Sequence, residues 1–151
     1  MENELRAAET AVREAMTLCR AVQDGIDRLV LEKNDRSPVT IADFGSQALV
    51  CRSLSRSLPD DPVVGEEDAS ALRQPEQAEF LDRIKDELAA RGVDADPESI
   101  CNWIDRGAAD PGDRFWTLDP IDGTKGFLRG DQYVVALALI VDGIVEVAVL
   151  G

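Results

Sequence analysis

The chain has 151 residues, 44% of them apolar, which suffices for one domain around one core and does not call for two. Lys and Arg total 16 against 30 Asp and Glu, giving a net charge of −14, and there is no histidine. A Ser-His-Asp triad, a Cys-His dyad and His-ligated zinc within this chain are therefore excluded, and the field repels a nucleic-acid backbone, so an anionic ligand needs metal ions or backbone N–H groups.

From Leu5 to Val30, apolar residues recur at spacings of three and four (Leu5, Ala8, Val12, Met16, Cys19, Val22, Ile26, Leu29), which predicts a long amphipathic helix. The polar, proline-ended stretch Lys33 to Pro38 predicts a mobile loop. Thr40 and Asp43 resemble a capping box, predicting a second helix with Asp43 in its first turn and Phe44, Ala48, Leu49, Leu54 and Leu58 facing inward. Pro59 to Pro62 ends that helix, and Val63-Val64 is a short strand leading into Gly65-Glu66-Glu67-Asp68. The region 69–96 is the most charged; Phe80, Leu81, Ile84 and Leu88 mark one helix face in it, its charges form a solvated surface, and a short helix follows around Glu98 to Arg106. Gly107 to Asp113 is a loop. Phe115 to Leu118 has strand composition and stops at Asp119-Pro120-Ile121-Asp122-Gly123-Thr124; Tyr133 to Val141 and Ile144 to Leu150 form a hairpin about Asp142-Gly143.

Cys19, Cys51 and Cys101 form no CxxC pair and read as small buried apolar residues of a reducing compartment. The acidic N-terminus lacks the features of a signal peptide, and the longest apolar run is too short to span a bilayer. A soluble chain without a membrane partner is expected, cytoplasmic, or organellar if a targeting segment precedes it.

Two acidic clusters carry the chemistry. In Asp119-Pro120-Ile121-Asp122 a tight turn at a strand exit aims two carboxylates and the Ile121 carbonyl at one point, the oxygen donors that a hard cation such as Mg²⁺ takes before completing its shell with water and phosphate. Gly123 and Thr124 add backbone N–H groups suited to phosphate at a helix start. Such a turn is, by itself, more often only an Asp-rich turn. In the second cluster the buried Val63-Val64 should draw Glu66 inward, where a cation is needed to tolerate it. Asp43 is either a partner of the helix dipole or, with a hydroxyl such as that of Thr124, a group that orients water.

Val-Gly-Glu-Glu-Asp at 64–68 and Trp-Thr-Leu-Asp-Pro-Ile-Asp-Gly-Thr-Lys-Gly-Phe at 116–127 resemble the metal-site motifs of the inositol monophosphatase superfamily of lithium-sensitive, Mg²⁺-dependent phosphatases. Ser37 to Gln47 and Thr124 to Tyr133 are similar to its 3′(2′),5′-bisphosphate nucleotidase branch. The resemblance spans the whole chain. It implies an α+β fold, with a long helix pair packed on an antiparallel sheet, and Mg²⁺ held by Glu66, Asp119, the Ile121 carbonyl and Asp122. It further implies that Asp43 and Thr124 activate water, that Glu67 stands behind the site or holds a third ion, and that the Gly123 and Thr124 backbones bind the scissile phosphate. The implied substrate is a small phosphate ester, 3′-phosphoadenosine 5′-phosphate. A pair of divalent cations outweighs the three ligand carboxylates, which reconciles an anionic substrate with the net charge of −14.

Members of that superfamily are longer and carry a second α/β domain, whose Trp-Asp-x-x-Ala-Gly motif supplies a further metal-binding Asp and which makes most nucleotide contacts; the motif does not occur here. The expectation is therefore a metal-binding phosphatase domain over 1–151, incomplete and a poor catalyst by itself. It should expose an apolar surface on the Tyr133 to Leu150 hairpin where the missing domain would dock. Competing readings are an inositol phosphate phosphatase, a catalytically dead metal- or phosphate-binding fragment, and an acidic domain without a site.

Overall fold

The computed structural model describes residues 1–29 and 37–151, and the side chains of 1–25, 41–123 and 125–151. The expected loop from Lys33 falls mostly outside the described residues, as does the Thr40 side chain of the expected capping box. Among the described residues, five α-helices, α1 (Glu2–Leu29), α2 (Ser37–Ser57), α3 (Ala78–Ala89), α4 (Pro97–Asp105) and α5 (Thr124–Leu128), and one 3-10 turn (Pro75–Gln77) accompany four strands, β1 (Val63–Val64), β2 (Arg114–Asp122), β3 (Val134–Val141) and β4 (Ile144–Leu150). The sheet order is β1-β2-β3-β4. The expected antiparallel sheet is β2-β3-β4, and β1 adds a two-residue parallel edge beside β2.

The α1 stripe is wider than its three-four spacing suggests. Ala7, Ala8, Ala11, Val12, Ala15, Leu18, Cys19 and Val22 are all buried, whereas Leu5 is 42% exposed. One edge of that stripe packs on α2 and the other on β3 and β4. Small residues allow the helix pair to close up: a Cβ on Gly45 of α2 would stand 2.9 Å from Leu18 Cδ1.

The second helix begins at Ser37, earlier than the expected Thr40, with Pro38 in the first turn where its missing N–H costs nothing. Asp43 accordingly lies in the second turn, away from the dipole end. From Ile41 to Leu54 nearly every side chain is buried, Ser46 and Gln47 included. A helix apolar on almost all sides belongs in the interior, and α2 is packed by α1, α3, α4 and β2 together. The expected inward face of α3 holds, with Leu81, Ile84 and Leu88 buried, and Asp96 caps α4 by accepting from the Ser99 N–H at 2.8 Å.

β2 runs past the expected stop at Leu118 through Asp122. Pro120 is accommodated because the ladder with β3 slips there: Asp119 pairs with Ala136, but Asp122 pairs with Val134, so three steps on β2 face two on β3. Bulges are where a strand tolerates proline and reverses the facing of its side chains. The Asp142-Gly143 turn of the hairpin has positive φ at both residues, 50° and 76°, as a two-residue hairpin loop requires. On the edge strand β4, Ile144, Val145 and Leu150 are 62%, 58% and 72% exposed, an apolar surface on the expected hairpin. All three cysteines are free and buried, and burial pushes the Cys19 and Cys51 thiols up to about 12, which makes them inert.

Between α5 and β3 the chain turns back on itself so closely that a Cβ on Gly126 would collide with the Gln132 carbonyl. Gln23 of α1 seals the same corner, its Nε2 donating to the carbonyls of Phe127 and Asp131, both at 3.1 Å. Gly126→Ala is therefore expected to cost about 1–3 kcal/mol by backbone displacement, read as a lowered midpoint in urea unfolding; an unchanged midpoint would show that this corner yields freely.

Candidate active site

Two supports from one face of α2 bring the acidic segments together. Asp43, Ser46 and Gln47 are spaced i, i+3 and i+4, which stacks them on one side of a helix. The buried Ser46 hydroxyl donates to the Pro120 carbonyl at 3.1 Å, pinning the bulge of β2. Gln47 donates from Nε2 to the Glu67 carbonyl at 2.6 Å and accepts at Oε1 from the Glu67 N–H at 3.0 Å, holding the loop after β1. Asp43 stands beside both.

The bulge gives the Asp119-Pro120-Ile121-Asp122 segment its geometry. Residues three apart on a regular strand face opposite sides, and one extra residue restores a common side. Pro120 and Ile121 are buried in succession, whereas Asp119 is half-buried and Asp122 exposed. Asp119 Oδ1 accepts from the Ile121 N–H at 3.1 Å, a local turn that orients its carboxylate. The positive φ of 93° at Gly123 then turns the chain into the short helix α5, whose first amide groups follow Asp122 directly.

Past β1, whose parallel register beside β2 ends with Val63 opposite Trp116 and Val64 opposite Thr117, the chain carries Glu66 close enough to Asp119 and Asp122 for their charges to act on it. The loop that follows is braced by α4. Asp105 accepts the Ala69 N–H at 2.7 Å and pairs with Arg73 at 2.5 Å, while the Gly65 N–H donates to the Gly107 carbonyl at 2.7 Å. The expectation for Glu66 is reversed in detail. Glu66 is exposed and Glu67 is half-buried, because the strand ends at Val64 and Gln47 draws the Glu67 backbone inward. Asp68 faces solvent and accepts the Ser70 N–H.

These carboxylates act on one another. Burial, followed by the charges of Glu67, Glu66 and Asp119, pushes Asp43 up to about 8. Glu66 is raised by burial and by Asp119 and Asp122; Asp119 is raised by burial and by Asp122; Glu67 is raised by burial and by Glu66 and Asp68. Among the described residues, no cationic side chain figures among the groups that shift them. Carboxylates gathered in this way require protons or cations.

Among the described residues, no three acidic or thiol side chains stand close enough to enclose an ion unaided. The donor set fits a hydrated Mg²⁺, which takes one or two carboxylates directly and keeps several waters. The Thr124 side chain, the expected partner of Asp43, lies outside the described residues. The supports Ser46, Gln47 and the Arg73–Asp105 latch are absent from the expectations drawn from the sequence. The available signal was two polar residues in an otherwise apolar stretch of helix, since buried polar groups require partners.

Residues 1–151 match the inositol monophosphatase family. The chain belongs to that family. It is 42% identical to a 3′(2′),5′-bisphosphate nucleotidase of Emericella nidulans over 99% of this chain and 46% of the relative. Identity to 3′(2′),5′-bisphosphate nucleotidase 1 of Arabidopsis thaliana is 44%, with the same two coverages. The chain thus spans about half the length of the curated relatives it matches. Among solved structures, the inositol monophosphatase of Anabaena (Nostoc) sp. PCC 7120 shares the fold with a TM-score of 0.58 at 18% identity, covering 99% of this chain and 39% of that one. No helix among the described residues is long and apolar enough to cross a membrane.

Proposed function

We propose that residues 1–151 form the metal-binding part of a phosphomonoesterase that removes the 3′-phosphate of 3′-phosphoadenosine 5′-phosphate. The observation that carries the reading is the meeting of carboxylates from α2, the loop after β1 and the bulge of β2, where Asp43, Glu66 and Asp119 are each raised by burial and by neighbouring carboxylates, with no cationic partner among the described residues. The similarity to bisphosphate nucleotidases at 42% and 44% identity supplies the substrate class.

In this reading Glu66, Asp119, Asp122 and the Ile121 carbonyl hold Mg²⁺, and Glu67 stands behind them. Bound there, the ions supply Lewis-acid stabilisation of the phosphoryl oxygens and of the leaving oxygen. The protein's own groups do the rest. Asp43 takes the proton from the attacking water, with the Thr124 hydroxyl sharing in its orientation. The Gly123 and Thr124 backbone N–H groups receive the phosphate. The bulge at Pro120, pinned by Ser46, keeps Asp119 and Asp122 on one side without movement during turnover.

The test is phosphate release from 3′-phosphoadenosine 5′-phosphate, with and without Mg²⁺ and Li⁺, in this chain and in a relative of full length. Expected is Mg²⁺-dependent, Li⁺-inhibited release, far slower in the 151-residue chain than in the relative. Preference for an inositol phosphate in direct competition would overturn the substrate assignment. Full activity of the purified monomeric 1–151 chain would overturn the proposal that the rest of the machinery lies beyond these residues.

A further inference from the structure

We propose that Gln47 is the positioning residue of this cation site, setting the backbone that carries Glu66 and Glu67 against β2; the inference rests on the function proposed above. The Gln47 side chain is completely buried, and every polar atom on it is used. Nε2 donates to the carbonyls of Glu67 at 2.6 Å and Ile104 at 2.9 Å, and Oε1 accepts from the Glu67 N–H at 3.0 Å. Two carbonyls and one N–H admit only this orientation of the amide.

The amide therefore pairs both backbone groups of Glu67 as a neighbouring strand would, at a point where β1 has already ended at Val64. An apolar side chain of similar size would leave the part-buried Glu67 N–H and carbonyl without these partners and the buried Ile104 carbonyl with only the Gly107 N–H, and a glutamate would keep the acceptor but lose both donors. The surroundings are shaped to the amide. A Cβ on Gly65 would stand 2.5 Å from Gln47 Oε1, and one on Gly107 would collide with Nε2. Because Asp43 lies one turn earlier on the same helix, a single rigid element sets Asp43, Glu66 and Glu67 relative to one another.

Two variants test this by calorimetric titration of the 151-residue chain with Mg²⁺, amide exchange at Glu67 and thermal unfolding. Gln47→Met is expected to bind Mg²⁺ about 10–100-fold more weakly, the usual loss when a group supporting a ligand is removed, and to exchange the Glu67 amide as fast as exposed loop amides. Gly107→Ala, which keeps the backbone carbonyl that accepts the Gly65 N–H, is expected to do the same by displacing Nε2. In a Gln47→Ala background it should lower Mg²⁺ affinity no further, since the truncated side chain leaves room and only the 3.1 Å approach to the Ile104 carbonyl remains.

If Gln47→Met does not fold, Gly107→Ala and the double variant carry the test. A merely structural role would lower the unfolding temperature yet leave the Mg²⁺ affinity of the folded chain as in wild type; that result, or unchanged Glu67 exchange, overturns the inference alone. A wild-type chain that takes up no Mg²⁺ overturns the proposed function and this inference together.

Discussion

Asp119→Asn is expected to weaken Mg²⁺ uptake about a hundredfold while leaving the metal-free chain at pH 7 as stable as wild type or more so. The two effects have opposite signs for one reason. The Asp119 carboxylate is partly removed from water and faces Asp122, and its charge also raises Glu66 and Asp43. Without a cation that charge is a liability, and with one it is a ligand. Asparagine keeps an Oδ1 to accept the Ile121 N–H, so the local turn survives the substitution. Calorimetric titration and thermal unfolding without metal measure the two signs separately. A clear loss of metal-free stability with normal Mg²⁺ uptake would show that Asp119 serves the fold and not a cation.

The pH dependence of the metal-free chain should follow Asp43. An ordinary aspartate titrates near 3.9 in an unfolded chain, whereas burial and the charges of Glu67, Glu66 and Asp119 push Asp43 up to about 8 in the folded one. The folded state binds this proton more tightly, so the Asp43 contribution to stability is full below about 4, falls as pH rises to about 8 and is constant above. Asp43→Asn is expected to flatten that decline. Because a ligand cation favours the ionised carboxylates, Mg²⁺ uptake should release about one proton below pH 8, and apparent affinity should rise about tenfold per pH unit until it levels off. Binding heats measured in buffers of different ionisation enthalpy count the protons. A count of zero at pH 7 would place Asp43 outside the influence of the ion.

Below about pH 4 an opposite dependence takes over at the other end of β2. Asp61 accepts from Arg114 at 2.8 Å through both Nε and Nη2, and from the buried Trp116 at 3.1 Å. The Arg114 and Trp116 hydrogen bonds outweigh burial and hold its carboxyl below the usual range. That stabilisation is present above the unfolded value and is lost as pH falls through the folded one. The metal-free chain should therefore be most stable in mildly acidic solution.

Local chemistry determined much by itself. Three-four spacing in α1 and in Leu81, Ile84 and Leu88 of α3, the Asp142-Gly143 hairpin and the absence of histidine each follow from neighbours in sequence. The ordered acidic motifs were enough to indicate the family. What sequence could not determine depends on residues far apart in the chain. Propensity stops a strand at Pro120, yet pairing with β3 carries β2 on to Asp122 through a bulge. The burial expected of Val63-Val64 should draw Glu66 inward, yet Gln47, 20 residues before Glu67, draws in the Glu67 backbone instead. Ser46 looks like an ordinary helical polar residue until β2 supplies a buried carbonyl 74 residues away. Carboxylate type and order are local facts; their common facing is decided by long-range hydrogen bonds that exist only once α2 is enclosed by the sheet and its neighbouring helices, where no water is available to replace them.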